Sequence, residues 1–100
     1  MSPDLGPGRA VYSISVTAEL TGAHPQALRG YEAKGLVEPY RTAGGTRRYS
    51  RRDVERIQRI VTLLAEGHNL AGIARILDLE EKNRRLRAEL DALRARLRRG

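Results

Sequence analysis

The clearest periodicity in the chain lies in its second half. Val54, Ile57, Val61 and Leu64 recur at helical spacing, with Ile60 and Leu63 widening the stripe. Ser50-Arg51-Arg52-Asp53 supplies a capping-box start, with Asp in place of the usual Glu, and Tyr49 and Val54 occupy the two positions of a hydrophobic staple. Gly67 is expected to stop this helix. Asn69 caps the next one, which buries Leu70, Ile73 and Ile76 or Leu77. Asp78-Leu79-Glu80-Glu81 reads as a further capping box, so a helix break is expected near Leu77–Asp78. Beyond it Leu79, Asn83, Leu86, Leu90, Leu93 and Leu97 alternate steps of four and three, an a/d seam on an otherwise charged helix. This pattern predicts a coiled coil over residues 78–100. The competing arrangement is an amphipathic helix folded back on its own domain.

The first half is built from shorter pieces. Residues 1–10 hold two Pro and two Gly without periodicity and are expected to form a disordered lead. Val11-Tyr12-Ser13-Ile14 reads as a short strand. Ser15 is the expected N-cap of a short helix with Val16 and Leu20 on one face, ended by Gly22. His24-Pro25 opens a second helix, with proline at the first position, where its missing N–H does no harm. Leu28 and Tyr31 are its inward candidates, while Gln26 and Arg29 fall on the other side. Gly35 follows Lys34 where a helix end needs a left-handed residue, and Leu36 can fold back on Tyr31. Two short arms around Gly44-Gly45 then read as a hairpin, with Arg41 on one arm and Arg47 and Arg48 on the other. Two short helices followed by an arginine-tipped hairpin are the plan of a winged helix-turn-helix. The fold expected is therefore mainly α: a winged helix-turn-helix over 11–77 and a dimerisation helix over 78–100.

Composition narrows this picture. The four aromatics are all Tyr, so the core must be aliphatic and small, and oligomerisation is one source of the stability it lacks. The absence of cysteine excludes disulfides and thiolate metal sites and fits a cytoplasmic protein. No apolar run approaches the length of a membrane span, and no signal peptide is visible. The net charge of +7 is unevenly placed. Residues 1–40 hold three basic and four acidic side chains, residues 41–59 seven and two, residues 60–77 one each and residues 78–100 eight and five. The excess peaks at the hairpin and the helix start after it, which points to a phosphate-facing surface rather than to a merely solvated one. His24 and His68 lie at helix junctions without ligand neighbours. No Ser/His/Asp order, HExxH, P-loop or paired acidic site is present, so neither an enzyme nor a cofactor is expected.

Tyr12-Ser13-Ile14, Leu28-Arg29, Tyr31-Glu32, Gly35-Leu36-Val37, Pro39 and Arg47-Arg48-Tyr49-Ser50 with Asp53-Val54 resemble the N-terminal domain of the MerR family of bacterial transcription regulators. The likeness covers about residues 11–77. Within the family the chain is similar to the heat-shock repressors: Asn69-Leu70-Ala71-Gly72-Ile73 is like the stretch they carry after the third helix, and Gly30 stands where many other members have a second Tyr. The resemblance implies a cytoplasmic, nucleoid-associated repressor that binds an inverted repeat in double-stranded DNA as a homodimer. It implies the second helix in the major groove and the wing against the backbone or minor groove. It also implies control of chaperone genes, with the chaperone DnaK as co-repressor. The DNA-binding candidates are Pro25, Gln26, Arg29, Tyr31, Arg41, Thr46, Arg47, Arg48 and Tyr49. Gln26 and Arg29 can reach base edges. Tyr31 and Tyr49 can offer hydroxyls to phosphates while their rings pack, or serve the core alone. Arg41, Arg47 and Arg48 supply long-reach charge. His24 departs from the common Ser or Thr cap, so the start of the second helix is expected to be less well fixed.

The dimerisation candidates are Leu79, Asn83, Leu86, Leu90, Leu93 and Leu97. A parallel pair would face Lys82 with Arg87. An antiparallel register that sets Leu79 against Leu90 brings Glu80 to Arg87 and Lys82 to Glu89, so the coil is expected to be antiparallel, with Leu97 left to the partner's globular domain. Three other readings compete. A MerR-type activator that senses a small ligand is disfavoured because no residues follow the seam to form an effector pocket and metal-sensing cysteines are absent. An excisionase-like architectural protein is disfavoured by the seam itself, and a coiled-coil adaptor without a DNA role by the arginine hairpin.

Overall fold

A computed structural model describes residues 8–100. Residues 1–7 of the expected lead lie outside the described residues, and Ala10 already belongs to a strand. The elements run β1 (Ala10–Tyr12), α1 (Ile14–Thr21), α2 (Pro25–Ala33), β2 (Tyr40–Arg41), β3 (Arg47–Ser50), α3 (Arg51–Ala65) and α4 (Leu70–Arg99). The chain divides into two compact units after Gly67, earlier than the boundary at 77–78 expected from the Asp78 pattern.

In the first unit, β3 is the central strand of a small antiparallel sheet of order β1-β3-β2. Ala10 pairs with Ser50 and Tyr12 with Tyr49, with a bulge between them, and the hairpin pairs Tyr40 with Arg48 and Arg41 with Arg47. The hydrophobic part of the core is aliphatic apart from two tyrosines: Leu28, Tyr31, Leu36, Val37, Tyr49, Val54, Ile57, Ile60 and Leu63 are all buried. The start of α3 follows its sequence signals. Ser50 Oγ accepts from Asp53 N at 3.0 Å and Asp53 Oδ2 accepts from Ser50 N at 2.9 Å, a reciprocal capping box. The stripe of α3 is rotated from the expected one. Ile60 and Leu63 are buried, Val61 is half-buried and Leu64 is 37% exposed. The apolar residues cover more than one face, so spacing could not say which edge of the stripe would be innermost.

Helix α1 departs further. Ser13, not Ser15, is its N-cap, accepting from Val16 N at 3.2 Å. Val16 and Leu20 are exposed, and Thr17 and Thr21 are buried instead. The threonine hydroxyl at 21 donates to Thr17 O at 2.8 Å, which lets a polar residue enter the core without losing its hydrogen bond. Two stripes one position apart fit eight residues equally well, and packing chose the smaller pair.

In the second unit, Asn69 caps α4 by accepting from Gly72 N at 2.8 Å, and Ile73 and Leu77 are buried. The expected break at Leu77–Asp78 is absent: α4 runs unbroken for 30 residues, roughly 45 Å. A capping box needs its first residue to leave helical geometry, and neither Gly nor Pro compels that here. Asp78 instead meets Lys82 at 3.3 Å and Glu81 meets Arg84 at 2.9 Å, pairs that support a helix interior.

The cap of α1 is open to a direct check. Ser13→Ala should destabilise the chain by about 1 kcal/mol, whereas Ser15→Ala should stay within about 0.5 kcal/mol of wild type in thermal or urea melts.

Candidate nucleic-acid interface

Helix α2 is fixed at both ends. His24 stands at its N-cap with extended backbone, and its Nδ1 accepts from Gln26 N at 3.1 Å. The departure from Ser or Thr therefore does not loosen the start, since an imidazole nitrogen takes the place of the hydroxyl. Pro25 follows at the first helical position. At the far end Gly35 adopts φ +74°, Gly35 N donates to Glu32 O and Leu36 N donates to Tyr31 O, both at 2.9 Å. This is a complete Schellman end, with Leu36 and Tyr31 both buried. Between these ends Leu28 and Tyr31 point inward. Gln26 and Arg29 share the exposed side, with Arg29 Nη1 3.5 Å from Gln26 Oε1.

The wing is closed by local hydrogen bonds. Thr42 N donates to Thr46 O at 2.9 Å, Gly45 N to Thr42 O at 2.8 Å and Thr46 N to Thr42 Oγ1 at 3.2 Å, with Gly45 at φ +83°. Glu32, in the last turn of α2, then receives one arginine from each wing strand. Arg47 Nε lies 2.6 Å from its Oε1 and Arg41 Nη2 lies 2.9 Å from its Oε2. Arg41 Nη1 also donates to Gly45 O at 3.1 Å, so both terminal nitrogens of that guanidinium are engaged. The Arg47 hydrogen bond, supported by Arg41 and opposed by partial burial, holds the Glu32 carboxyl below the usual range. Arg48 donates to the Arg47 carbonyl at 3.1 Å and meets no carboxylate among the described residues.

The structure thus brings Pro25, Gln26 and Arg29 together on α2, and Arg41, Thr46, Arg47 and Arg48 together on the wing. Tyr31 and Tyr49 belong to the core. Tyr49 is fully buried, its hydroxyl is enclosed without a hydrogen-bond partner among the described residues, and burial raises the pKa of both phenols. In this arrangement the enclosed Tyr49 hydroxyl is not presented as the phosphate donor the sequence allowed. Three residues escaped the sequence reading. Glu32 was visible only as a motif letter, because its partners are nine and fifteen positions away. His24 was counted as a weak cap. Tyr40, 63% exposed and paired with Arg48 across the hairpin, carried no signal beyond its place in an arm. On α4 the seam residues Leu79, Asn83, Leu86, Leu90, Leu93 and Leu97 are all exposed. Among the described residues no group of acidic or histidine side chains is placed to hold a metal ion, and no helix is long and apolar enough to cross a membrane.

Comparison with known proteins agrees with this geometry. Residues 12–80 match the model of the MerR HTH family of regulatory proteins. The chain is 52% identical over 88 residues to the "Putative heat shock protein HspR" of Streptomyces coelicolor, covering 87% of this chain and 58% of that protein. It is 37% identical to the HTH-type transcriptional regulator TnrA of Bacillus subtilis, covering 79% of this chain and 70% of that one. The crystal structure of a MerR-family transcriptional regulator from Bacillus cereus superposes with a TM-score of 0.64 at 28% identity, covering 88% of this chain and 70% of the other. The chain belongs to the MerR HTH family of regulatory proteins.

The Glu32 clamp predicts a pH signature. Its carboxyl is depressed in the folded chain, so its contribution is complete above the ordinary carboxylate range and is lost as pH falls through the depressed value. Glu32→Gln should cost about 1–3 kcal/mol at neutral pH, and the gap from wild type should narrow progressively in melts taken below the ordinary carboxylate range. A gap that stays constant with pH would mean that the carboxylate charge is not what stabilises the wing.

Proposed function

We propose that this MerR-family chain is a sequence-specific DNA-binding repressor that acts as a homodimer on an inverted repeat. The observation that carries the reading is the placement of Gln26 and Arg29 side by side on the exposed face of α2, next to a wing anchored to the same helix through Glu32. Gln and Arg are side chains suited to bidentate contacts with adenine and guanine edges in the major groove. A wing held at one distance from that helix would place Arg48 and the hairpin tip against the backbone while α2 reads the groove. The likeness to the Streptomyces heat shock protein supports a role in heat-shock control. On this reading the genes controlled encode chaperones, DnaK acts as co-repressor, and the protein works on the nucleoid in the cytoplasm. Those finer points rest on the resemblance, because the chain spans 58% of that relative's length.

Dimerisation is assigned to α4. Its exposed leucines cannot remain in water at no cost, and their burial against a second copy would contribute about 25 cal/mol per Å² of apolar surface covered. The unbroken helix extends the seam back to Ile76 and Gly72, which continue the same a/d spacing. In the antiparallel register that sets Leu79 opposite Leu90, Ile76 meets Leu93 and Gly72 meets Leu97 of the partner. Glycine leaves room for the last leucine, so Leu97 need not seek the partner's globular domain. Glu80 then faces Arg87 and Lys82 faces Glu89, each pair contributing a few tenths of a kcal/mol up to about 1 kcal/mol.

Two measurements test these assignments. Arg29→Ala should cost about 1–3 kcal/mol on a duplex selected from random sequence by the wild-type chain and little on unselected DNA; equal losses on both would demote Arg29 to a phosphate contact. Chains carrying Leu79→Cys and Leu90→Cys separately should form a disulfide efficiently when mixed, and two Leu79→Cys chains should link poorly. The reverse pattern would indicate a parallel coil.

A further inference from the structure

We propose that Glu32 is a specificity-determining residue that acts as an internal substitute for phosphate. It withholds Arg41 and Arg47 from the DNA backbone, so that the wing contributes position rather than charge. The inference rests on the DNA-binding reading above and adds to it a role for a residue that itself touches neither base nor phosphate.

The geometry separates the wing arginines into two kinds. Arg41 has one terminal nitrogen on Glu32 Oε2 at 2.9 Å and the other on Gly45 O at 3.1 Å, so the edge of the fork that would grip a phosphate is already committed. Arg47 gives its Nε to Glu32 Oε1 at 2.6 Å, with only 25% of its side chain exposed. A carboxylate offers two oxygens in a plane, much as a phosphate does, and Arg forks match either. Glu32, 22% exposed, therefore engages one nitrogen of each guanidinium with the kind of group that both would otherwise seek on DNA, although the Arg41 side chain remains 46% exposed. Arg48 is left outside this arrangement.

This has a consequence for discrimination. Phosphate contacts raise affinity for every sequence alike, and each one adds about 0.9 to the dependence of log affinity on log salt. Engaging two cations internally lowers binding to any duplex. The readers on α2, Arg29 within one turn of Glu32 and Gln26 within two, are untouched, and the clamp fixes their distance to the wing tip. Specific binding is thus favoured relative to non-specific binding.

The test uses the full chain and two duplexes of equal length, one selected from random sequence by the wild type and one unselected. Affinities are measured by fluorescence anisotropy over about 50–200 mM salt, with melting temperatures alongside. Glu32→Gln should bind the unselected duplex several-fold more tightly, steepen the salt slope by up to about two units and reduce the ratio of selected to unselected binding. Arg47→Gln in the wild-type background should leave the slope unchanged, and in the Glu32→Gln background should remove about one unit. If Glu32→Gln binds both duplexes more weakly in parallel with a lower melting temperature, or leaves the slope unchanged, the clamp is structural only and the inference falls. A wild-type chain that binds neither duplex overturns the DNA-binding reading, and this inference with it.

Discussion

The carboxylate of Glu32 is the point from which the candidate interface is measured. It stands in the last turn of α2 and receives Arg41 from one wing strand and Arg47 from the other. A hairpin of two-residue and four-residue strands has little stability of its own. Pairing with β1 steadies one edge of it, and the two ion pairs attach it to the helix that carries Gln26 and Arg29. Charge-assisted bonds with a partly buried carboxylate are stronger than exposed surface pairs, which is why a single residue can hold both arms. The distance from the exposed face of α2 to the wing is set by that attachment.

The rest of the first unit follows a similar economy. With no Phe or Trp the core is small, and much of the definition of the fold comes from how elements are ended and latched. Ser13, His24 and the Ser50–Asp53 pair each satisfy a helix start, and Gly35 closes α2 with two backbone bonds. Polar side chains also reach across to free carbonyls: Gln58 Nε2 donates to Leu20 O at 3.2 Å, and Arg56 Nε donates to Leu36 O. These links orient α3 with respect to the chain ends of α1 and α2. Each contributes modestly, and together they compensate for apolar area that the composition does not provide.

Helix α4 presents the opposite situation. Its first turns bury Ile73 and Leu77, but from Leu79 onward every leucine is open to water while the remaining faces are charged. A long helix of this kind gains little from propensity alone, and its stability depends on what covers the seam. On the proposed reading a second copy of the same helix would cover it with matched spacing, which is why dimerisation and DNA recognition are proposed as properties of one molecule rather than as separable functions.

Local chemistry in the sequence determined a good part of this. The capping box at Ser50, the left-handed Gly35 with Leu36 behind it, the proline start of α2, the hairpin around Gly44-Gly45 and the leucine spacing of α4 all depend on residues within a few positions of one another, so they were legible in one dimension. The outward placement of Gln26 and Arg29 was legible for the same reason. Tertiary structure decided what depends on distant partners or on competition between near-equal local choices. Thr17 and Thr21 are buried in place of Val16 and Leu20, a choice between two faces one position apart that only the packing of α1 against the rest of the unit could make. The Asp78 pattern formed intrahelical ion pairs instead of a break because nothing nearby compelled the chain to leave the helix. Tyr49 became wholly enclosed, while Arg47 and Arg48 on the same strand did not, because burial of a strand side chain depends on what covers its face of the sheet. Above all, Arg41 and Arg47 read as free charge in the sequence and became partners of Glu32 in the fold, because an ion pair across nine or fifteen residues exists only once the hairpin has been brought against the helix.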